Sequence, residues 1–363
     1  MTKTHAIKIF GLGPSDLDHL PLGIYRRIVD QGKIYVRTQD HPVVNELRES
    51  GVTIESFDWV YDLYPDSFDQ VYDRICQEVL KLAQDKEVLY GVPGHPRVGE
   101  QTTVLLEAAS DQVQVLGGQS FIDDLFNAVG VDPVEGFQLV DALAVQADDL
   151  VTKQHLIVMQ VFSSLVAGDL KLTLMDQYPD EHPVYLVDAA GDKNQAVYRL
   201  PLAKIDHFEG VHNLRTLYVP PLDRDDRIRS FATLLSYTDE IMGPGGNAWI
   251  KEKSSKDLIP YLKEETAELV AAIEAENDDN IVEELGNLLM QVVYQAKLGE
   301  QESYFSIEDV LEGINKKLRR RHPHVFDGVK ADSPKEVNEI WQAIKAKEKE
   351  EQNERKEWAY AVG

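Results

Sequence analysis

The strongest constraint on the fold is a change of pattern near residue 222. Before it, short β-rich runs alternate with helical stretches; beyond about residue 224, strand signals stop. Strand candidates are Ala6–Phe10, Lys33–Thr38, Glu87–Tyr90 and Gln112–Leu116. A second set follows after about residue 150: Leu156–Val161, Pro183–Asp188, Ala196–Leu200 and Thr216–Val219. Helical runs cover Ser67–Asp85 and Thr102–Ser110. The alternation predicts an α/β domain over 1–222 with a mostly parallel sheet, in two lobes joined near residues 141–152. Pro220-Pro221 punctuates the chain, and residues 224–348 read as all-α. There Ile228–Met242 is helical and Gly243-Pro244-Gly245-Gly246 breaks it. Ser254-x-x-Asp257 predicts a capping box opening the next helix, and Asp279 the start of another. Ser306-x-x-Asp309 and Ser333-Pro334-x-Glu336 open two more. The charge-rich stretch 349–363 reads as a frayed helix or tail.

Composition narrows the function. The net charge is −26 and the pI about 4.7, which argues against a nucleic-acid-binding surface. Small phosphorylated ligands stay open, because a bound metal or a local basic patch reverses the sign nearby. Cys76 is the only cysteine, so an internal disulfide and a cysteine-based zinc cluster are excluded. The N-terminus reads as a strand running into a glycine turn rather than a signal peptide, and no segment approaches 18 uninterrupted apolar residues. The expectation is a cytoplasmic protein.

Four acids carry the chemistry of the second region. Glu264, Glu265 and Glu268 stand in KEETAEL, and Glu284 follows in EELGN with Asn287 three positions on. At 100° per residue, Leu258, Leu262, Leu269 and Ile273 form an apolar stripe, with Glu265 inside it and Glu264 and Glu268 on one flank. On the next helix Ile281, Leu285, Leu288 and Val292 form the stripe, with Glu284, Asn287 and Gln291 on one flank. Packing the two stripes brings the acidic flanks close. Oxygen-only ligands on helices suit Mg²⁺ or Mn²⁺ and not Zn²⁺. The alternative is a solvated acidic face, and Glu265 inside the stripe weighs against it.

Three Gly/Pro loops follow strands in the first region. They are Gly11-Leu12-Gly13-Pro14-Ser15-Asp16, Tyr90-Gly91-Val92-Pro93-Gly94-His95-Pro96 and Gly117-Gly118-Gln119-Ser120-Phe121. At the carboxyl ends of strands in an open α/β sheet they would line one crevice, where ligands bind. Neither nucleotide fingerprint, G-x-G-x-x-G or G-x-x-x-x-G-K-[ST], is present. These loops, with Ala189 to Gln195, resemble the tetrapyrrole methylase family over roughly residues 5–222. The resemblance implies S-adenosylmethionine bound between two α/β lobes, by Gly11, Gly13, Pro14, Gly94, His95, Gly117, Gly118 and Ser120. Ser15 stands where the family usually has Gly, and VPGHP lacks the family's usual acid.

Residues 224–348 resemble a MazG domain. Its signature E-E-x-x-E…E-x-x-D is met by Glu264, Glu265, Glu268 and Glu284, with Asn287 in the last place. Arg320 to Phe326 (RRHPHVF), Lys317 and Trp341-x-x-Ile344-Lys345 also match. The order of the domains is similar to a methylase–MazG fusion, which implies an α/β two-lobed methylase-like domain followed by an all-α MazG-like helical domain. It further implies Mg²⁺-dependent hydrolysis of a nucleoside triphosphate to monophosphate and pyrophosphate. The metal would be held by the four glutamates with Asn287, and a homodimer would form through the helical domain. A methyl acceptor is implied but not named. Trp249 would meet the base. Lys317, Arg320 and Arg321 would meet phosphate, or else simply favour a helix C-terminus. Where the family has C-P-W-D-x-x-Q-T-H-x-S-L, this chain keeps only Trp249 and Leu258 of the fixed positions; Asn247, Ala248, Ile250, Lys253, Ser254, Ser255 and Asp257 differ. That erosion is the pattern of a weakened or redirected hydrolase. The rival expectation is a methyltransferase or non-catalytic ligand sensor whose helical domain only dimerises.

Overall fold

A computed structural model describes residues 5–362, with side chains described through residue 348 and at residue 350. The chain divides into two units, 1–227 and 228–363.

The first unit holds two five-stranded sheets. Strands β1 (Ile7–Gly11), β2 (Lys33–Val36), β3 (Thr53–Ser56), β4 (Val88–Val92) and β5 (Val113–Gly117) lie in the order β3-β2-β4-β1-β5, all parallel. β4 is buried along its whole length, as a strand covered on both faces must be. One face of the sheet packs on α1 (Leu22–Gln31) and α2 (Pro42–Glu49) through Phe10, Ile34, Ile28 and Leu47. The other packs on α3 (Asp58–Leu63), α4 (Phe68–Leu82) and α5 (Gln101–Ala109). Helix α4 begins where Ser67 accepts from Gln70 N, and turns Val71, Ile75, Cys76 and Val79 inward at helical spacing. Burial among these residues pushes the Cys76 thiol up to about 12.

The second sheet is mixed. Strands β6 (Phe137–Asp141), β7 (His155–Met159), β8 (Pro183–Asp188), β9 (Ala196–Pro201) and β10 (Arg215–Val219) take the order β6-β7-β10-β8-β9. Only β6 and β7 run parallel; β10 is antiparallel to both neighbours and β8–β9 is a hairpin. The expected mostly parallel arrangement therefore holds for the first lobe alone. Helix α6 (Phe121–Val129) covers one face through Leu125, and α7 (Ser164–Met175) the other through Leu170 and Leu174. The expected join at 141–152 falls inside this sheet, between β6 and β7. The passage between sheets comes earlier, after β5, because the short edge strand β6 belongs to the second lobe.

The second unit is helical: α8 (Phe231–Met242), α9 (Ala248–Lys251), α10 (Ile259–Glu274), α11 (Asp278–Gln301), α12 (Ile307–Arg321), α13 (Pro323–Phe326) and α14 (Pro334–Val362). Helix α14 runs on through most of the stretch expected as a charged tail. Asn277 caps α11 by accepting from Asn280 N, and the Ser306/Asp309 box caps α12 as expected. The Ser254–Asp257 pair forms a turn instead of a cap: Asp257 accepts from Ser254 N and Oγ, and α10 starts only at Ile259. The stripes also pack differently from expectation. α11 is rolled so that Ile281, Glu284, Leu288 and Gln291 enter the seam with α10, leaving Leu285 50% and Val292 39% exposed. On α10 the matching line is Leu258, Leu262, Glu265, Leu269 and Ala272, while Ile273 stays 54% exposed.

Candidate functional site

Two sites take shape, one in each unit. In the first unit a cavity of about 280 Å³ opens between the lobes. β1 and β4 are neighbours, so the loops that follow them meet: Gly13 and Gly94 exchange backbone hydrogen bonds at 3.2 and 3.1 Å. Gly13 has φ +81°, and a Cβ there would lie 2.9 Å from His19 O, so glycine is needed for conformation and for space. Gly13, Pro14 and Gly94 line the cavity. The other expected residues support it from behind or beside. A Cβ on Gly11 would lie 2.2 Å from Gly94 O, and one on Gly118 2.8 Å from Gly11 Cα, so these glycines let three backbones pack together. Gly117 takes φ +91°. Ser120 caps α6 by accepting from Ile122 N at 3.2 Å. His95 Nδ1 accepts from Arg97 N at 3.1 Å, and burial followed by the Arg97 charge holds its imidazole below the usual value.

Apart from the Ala189–Gln195 run, the rest of the lining comes mostly from residues that sequence spacing does not mark. Asp40 and His41 follow β2, and His41 Nε2 donates to Gly13 O at 2.9 Å. Burial lowers the His41 pKa, so the ring is a neutral donor at neutral pH. From the second lobe come Met159 and Gln160, then Ala189, Ala190 and Asp192, and Asn213 to Thr216. Gln160 (φ +66°) and Ala189 (φ +49°) are non-glycine residues in the left-handed region. Such strain costs on the order of 1–3 kcal/mol each and gathers at binding sites. Arg215 is held by two hydrogen bonds to Asp188, at 2.6 and 2.7 Å, over the face of Phe208.

In the second unit the carboxylates of Glu265, Glu268 and Glu284 converge, with one oxygen of each within 4.8 Å of the others. Helices α10 and α11 run back to back through a tight turn, which brings positions 265 and 284 together across the seam. Glu264 is exposed beside the group and is not one of the three. Asn287 Nδ2 donates to Glu284 Oε2 at 3.1 Å. The Glu265 carboxyl is raised, first by burial and then by the charges of Glu268, Glu284 and Glu264; a hydrogen bond from Asn287 partly opposes this. Asn287 thus gives its N–H to acids that can only accept. A role as an oxygen ligand would require the amide to turn over.

Trp249, on the short helix α9, stands edge-on to Tyr261 with ring centroids 5.3 Å apart, and Lys253 Nζ lies 5.0 Å from its ring centre. The eroded segment is well anchored: Ile250 and Leu258 are buried with Met242, and Ser255 Oγ donates to Gln295 of α11. In the basic run, Lys317 is exposed, but Arg320 and Arg321 both bind Glu348 of α14 at 2.5 Å. Arg321 also lies over the Trp341 ring.

Comparison with known proteins agrees with this division. The family model for tetrapyrrole (corrin/porphyrin) methylases matches residues 7–206, and that for the MazG nucleotide pyrophosphohydrolase domain matches 253–326. The YabN protein of Bacillus subtilis is 41% identical over 348 residues, covering 94% of this chain and 71% of that one. The chain belongs to the tetrapyrrole methylase family. Its helical unit is a MazG domain, so the whole is a fusion of YabN type. That unit is 44% identical over 119 residues to the nucleoside triphosphate pyrophosphohydrolase/pyrophosphatase MazG of Thermotoga maritima, a match covering 33% of this chain and 45% of that one. Among solved structures, a cobalt precorrin-4 methyltransferase aligns with a TM-score of 0.47 at 14% identity, over 59% of this chain and 94% of that one. No helix among the described residues is long and apolar enough to cross a membrane.

Proposed function

We propose that the chain is bifunctional. Its MazG domain hydrolyses a nucleoside triphosphate to monophosphate and pyrophosphate with Mg²⁺ or Mn²⁺, and its methylase domain binds S-adenosylmethionine in the cavity between the lobes. One observation carries the first half: the carboxylates of Glu265, Glu268 and Glu284 converge in a helix seam. The donor set fits a hard divalent cation, since it is all oxygen and gains charge compensation on binding. When bound, such a cation would screen the phosphates and favour ionisation of a water. Glu265, Glu268 and Glu284 would hold it, with Asn287 joining only if its amide turns. Exposed Glu264 would take the water's proton as a general base. Trp249 offers a face to the base once Lys253 moves aside, and Lys317 meets phosphate directly. Arg320 and Arg321 meet phosphate by exchanging Glu348 for it, a swap between two bidentate anions. The named activity of the Thermotoga relative supports this reading.

For the methylase domain, support comes from the family match, the Gly/Pro loops and the cavity's size, near the lower end for a small-molecule site. The methyl acceptor is a further, unnamed partner. A second copy of the chain would cover the exposed apolar face of α10 and α11. Nucleoside triphosphates and S-adenosylmethionine are cytoplasmic compounds, and we place the protein there. A second reading, a methyltransferase or non-catalytic ligand sensor in which the MazG domain only dimerises, is favoured by Asn287, whose N–H already occupies the carboxylates. Purified protein incubated with a panel of nucleoside triphosphates and Mg²⁺ or Mn²⁺ separates the two. Equimolar monophosphate and pyrophosphate from at least one nucleotide is expected; no product from any supports the second reading.

A further inference from the structure

The loop Ala189–Gln195 of the second lobe is held at two points beside the cavity, one of them on the first lobe and the other on α6. Ser15, 1% exposed, donates from Oγ to Asp192 Oδ2 at 2.6 Å, a bond between residues 177 positions apart. Asp192 is pre-set to receive it, because its other oxygen accepts from Asn194 N and Nδ2 at 2.7 and 2.8 Å. At the second point Gly191 (φ +82°) packs so closely on Asp124 that a Cβ would lie 2.7 Å from its carboxylate. Asp124 in turn accepts from Gln119 Nε2 and lies 3.8 Å from His19 Nε2, while His19 Nδ1 binds Asp16 at 2.8 Å. The loop's own Ala189, Ala190 and Asp192 line the cavity, as does Pro14 next to Ser15. Its first residue, Ala189, carries left-handed strain. A strained hinge fastened at its far side by one short, part-buried bond is the build of a closed lid.

We propose that Ser15 and Asp192 form a clasp that holds the 189–195 loop closed over the cavity and so sets how long its ligand stays bound. The proposal rests on the reading of that cavity as a binding site for S-adenosylmethionine. Ser15 is a positioning residue here: it acts on the ligand through the loop. Its hydroxyl matters because glycine or alanine at this position offers no donor to Asp192. Parting the clasp frees the loop to relax at Ala189, which uncovers the cavity on the side of Pro14.

The test uses the full chain, S-adenosylhomocysteine as probe, and the variants Ser15→Ala, Asp192→Asn and Ser15→Thr. Hydrogen exchange without ligand reads the clasp itself. Ser15→Ala should speed exchange at Gly191 and Asn194 by about tenfold, the scale of one hydrogen bond to a charged group, while Ile9 and Tyr90 of the first sheet stay protected. Stopped-flow dissociation should then quicken by a similar factor in Ser15→Ala, less in Asp192→Asn, and return toward wild type in Ser15→Thr. Unchanged exchange in the 189–195 loop overturns the clasp. Faster exchange with unchanged dissociation overturns its role as a gate. If wild type binds no probe, the cavity's assignment falls, and with it the gating of that ligand, while the exchange result still decides whether the clasp exists. Should Ser15→Ala lose protection in the first sheet as well, Asp192→Asn and the threonine variant carry the comparison.

Discussion

In the α/β unit Ile7, Ile9, Phe10 and Tyr90 are wholly buried, whereas in the helical unit Val282 is 73% and Leu285 and Val270 each 50% exposed. Both units are rich in apolar residues, and they use them differently. Each sheet of the first unit has helices or loops on both faces, so its strands complete their own cores. The α10–α11 pair puts Glu265, Glu284 and Gln291 in the seam where a self-sufficient pair would put leucines. Its apolar face is turned outward, which is what a helical layer does when a further layer is to cover it. The first unit is thus a closed scaffold that presents loops, and the second an acidic seam with an outward apolar face.

The largest effect that sharpens this contrast is a cavity in the closed core. Phe10→Ala should destabilise the α/β unit by about 3–5 kcal/mol, as large aromatic truncations do. Urea unfolding followed in each unit should move the first transition and leave that of the helical unit in place; a joint shift would mean the units unfold together. Next, Glu265→Gln should lower pyrophosphate release at least about 100-fold, because ligand-supporting residues one layer out already cost 10–100-fold. Binding of S-adenosylhomocysteine should not change, and a change there would break the separation of the two sites. Third, Leu285→Asp with Val292→Asp should turn a dimer into a monomer by light scattering, with dissociation at least about 30-fold easier, or about 2 kcal/mol. Wild type that is already monomeric would leave the outward face without its expected partner. The smallest effect concerns pH. The folded Glu265 carboxyl is raised above its ordinary 4.5, so its contribution to stability is fully present below pH 4.5 and is lost as pH rises through the raised value. At neutral pH without divalent cation, Glu265→Gln should therefore stabilise the helical unit, by roughly 0.2–0.5 kcal/mol on the scale of like-charge helix pairs. Thermal melts should show the gain vanish below pH 4.5; a variant that melts lower than wild type at pH 7 contradicts it.

Much of the fold was legible because its signals are local. Pro183–Asp188 was expected as a strand and is one to the residue, and most other strands of the first unit fall within a residue or two of their apolar runs. Strands β3 and β6 were missed because both lie at sheet edges, where Thr53–Ser56 and Phe137–Asp141 lack a continuous apolar run. The acids could be found because positions three or four apart share a helix face. The roll of α11 could not, since periodicity finds an apolar stripe without saying that its polar edge enters the seam. The cavity was half visible. Its glycine loops announce themselves by residue type, but His41, Gln160 and Arg215 arrive by strand order and lobe closure, and nothing nearby in sequence marks them. For the same reason Gly13→Val is a poor probe of ligand binding: the strained φ and His19 O would disturb the loop before any ligand met the side chain.

If the α10–α11 seam holds a divalent cation through Glu265, Glu268 and Glu284, Asn287 weakens its grip by donating to the same acids. Titration calorimetry of Mn²⁺ into wild type, Asn287→Asp and Glu265→Gln tests it directly. Hard cations prefer charged oxygen ligands, so Asn287→Asp should bind about tenfold or more tightly than wild type, and Glu265→Gln should lose the site. Equal and negligible heats in wild type and Asn287→Asp would contradict the account and leave the helical unit as a structural partner.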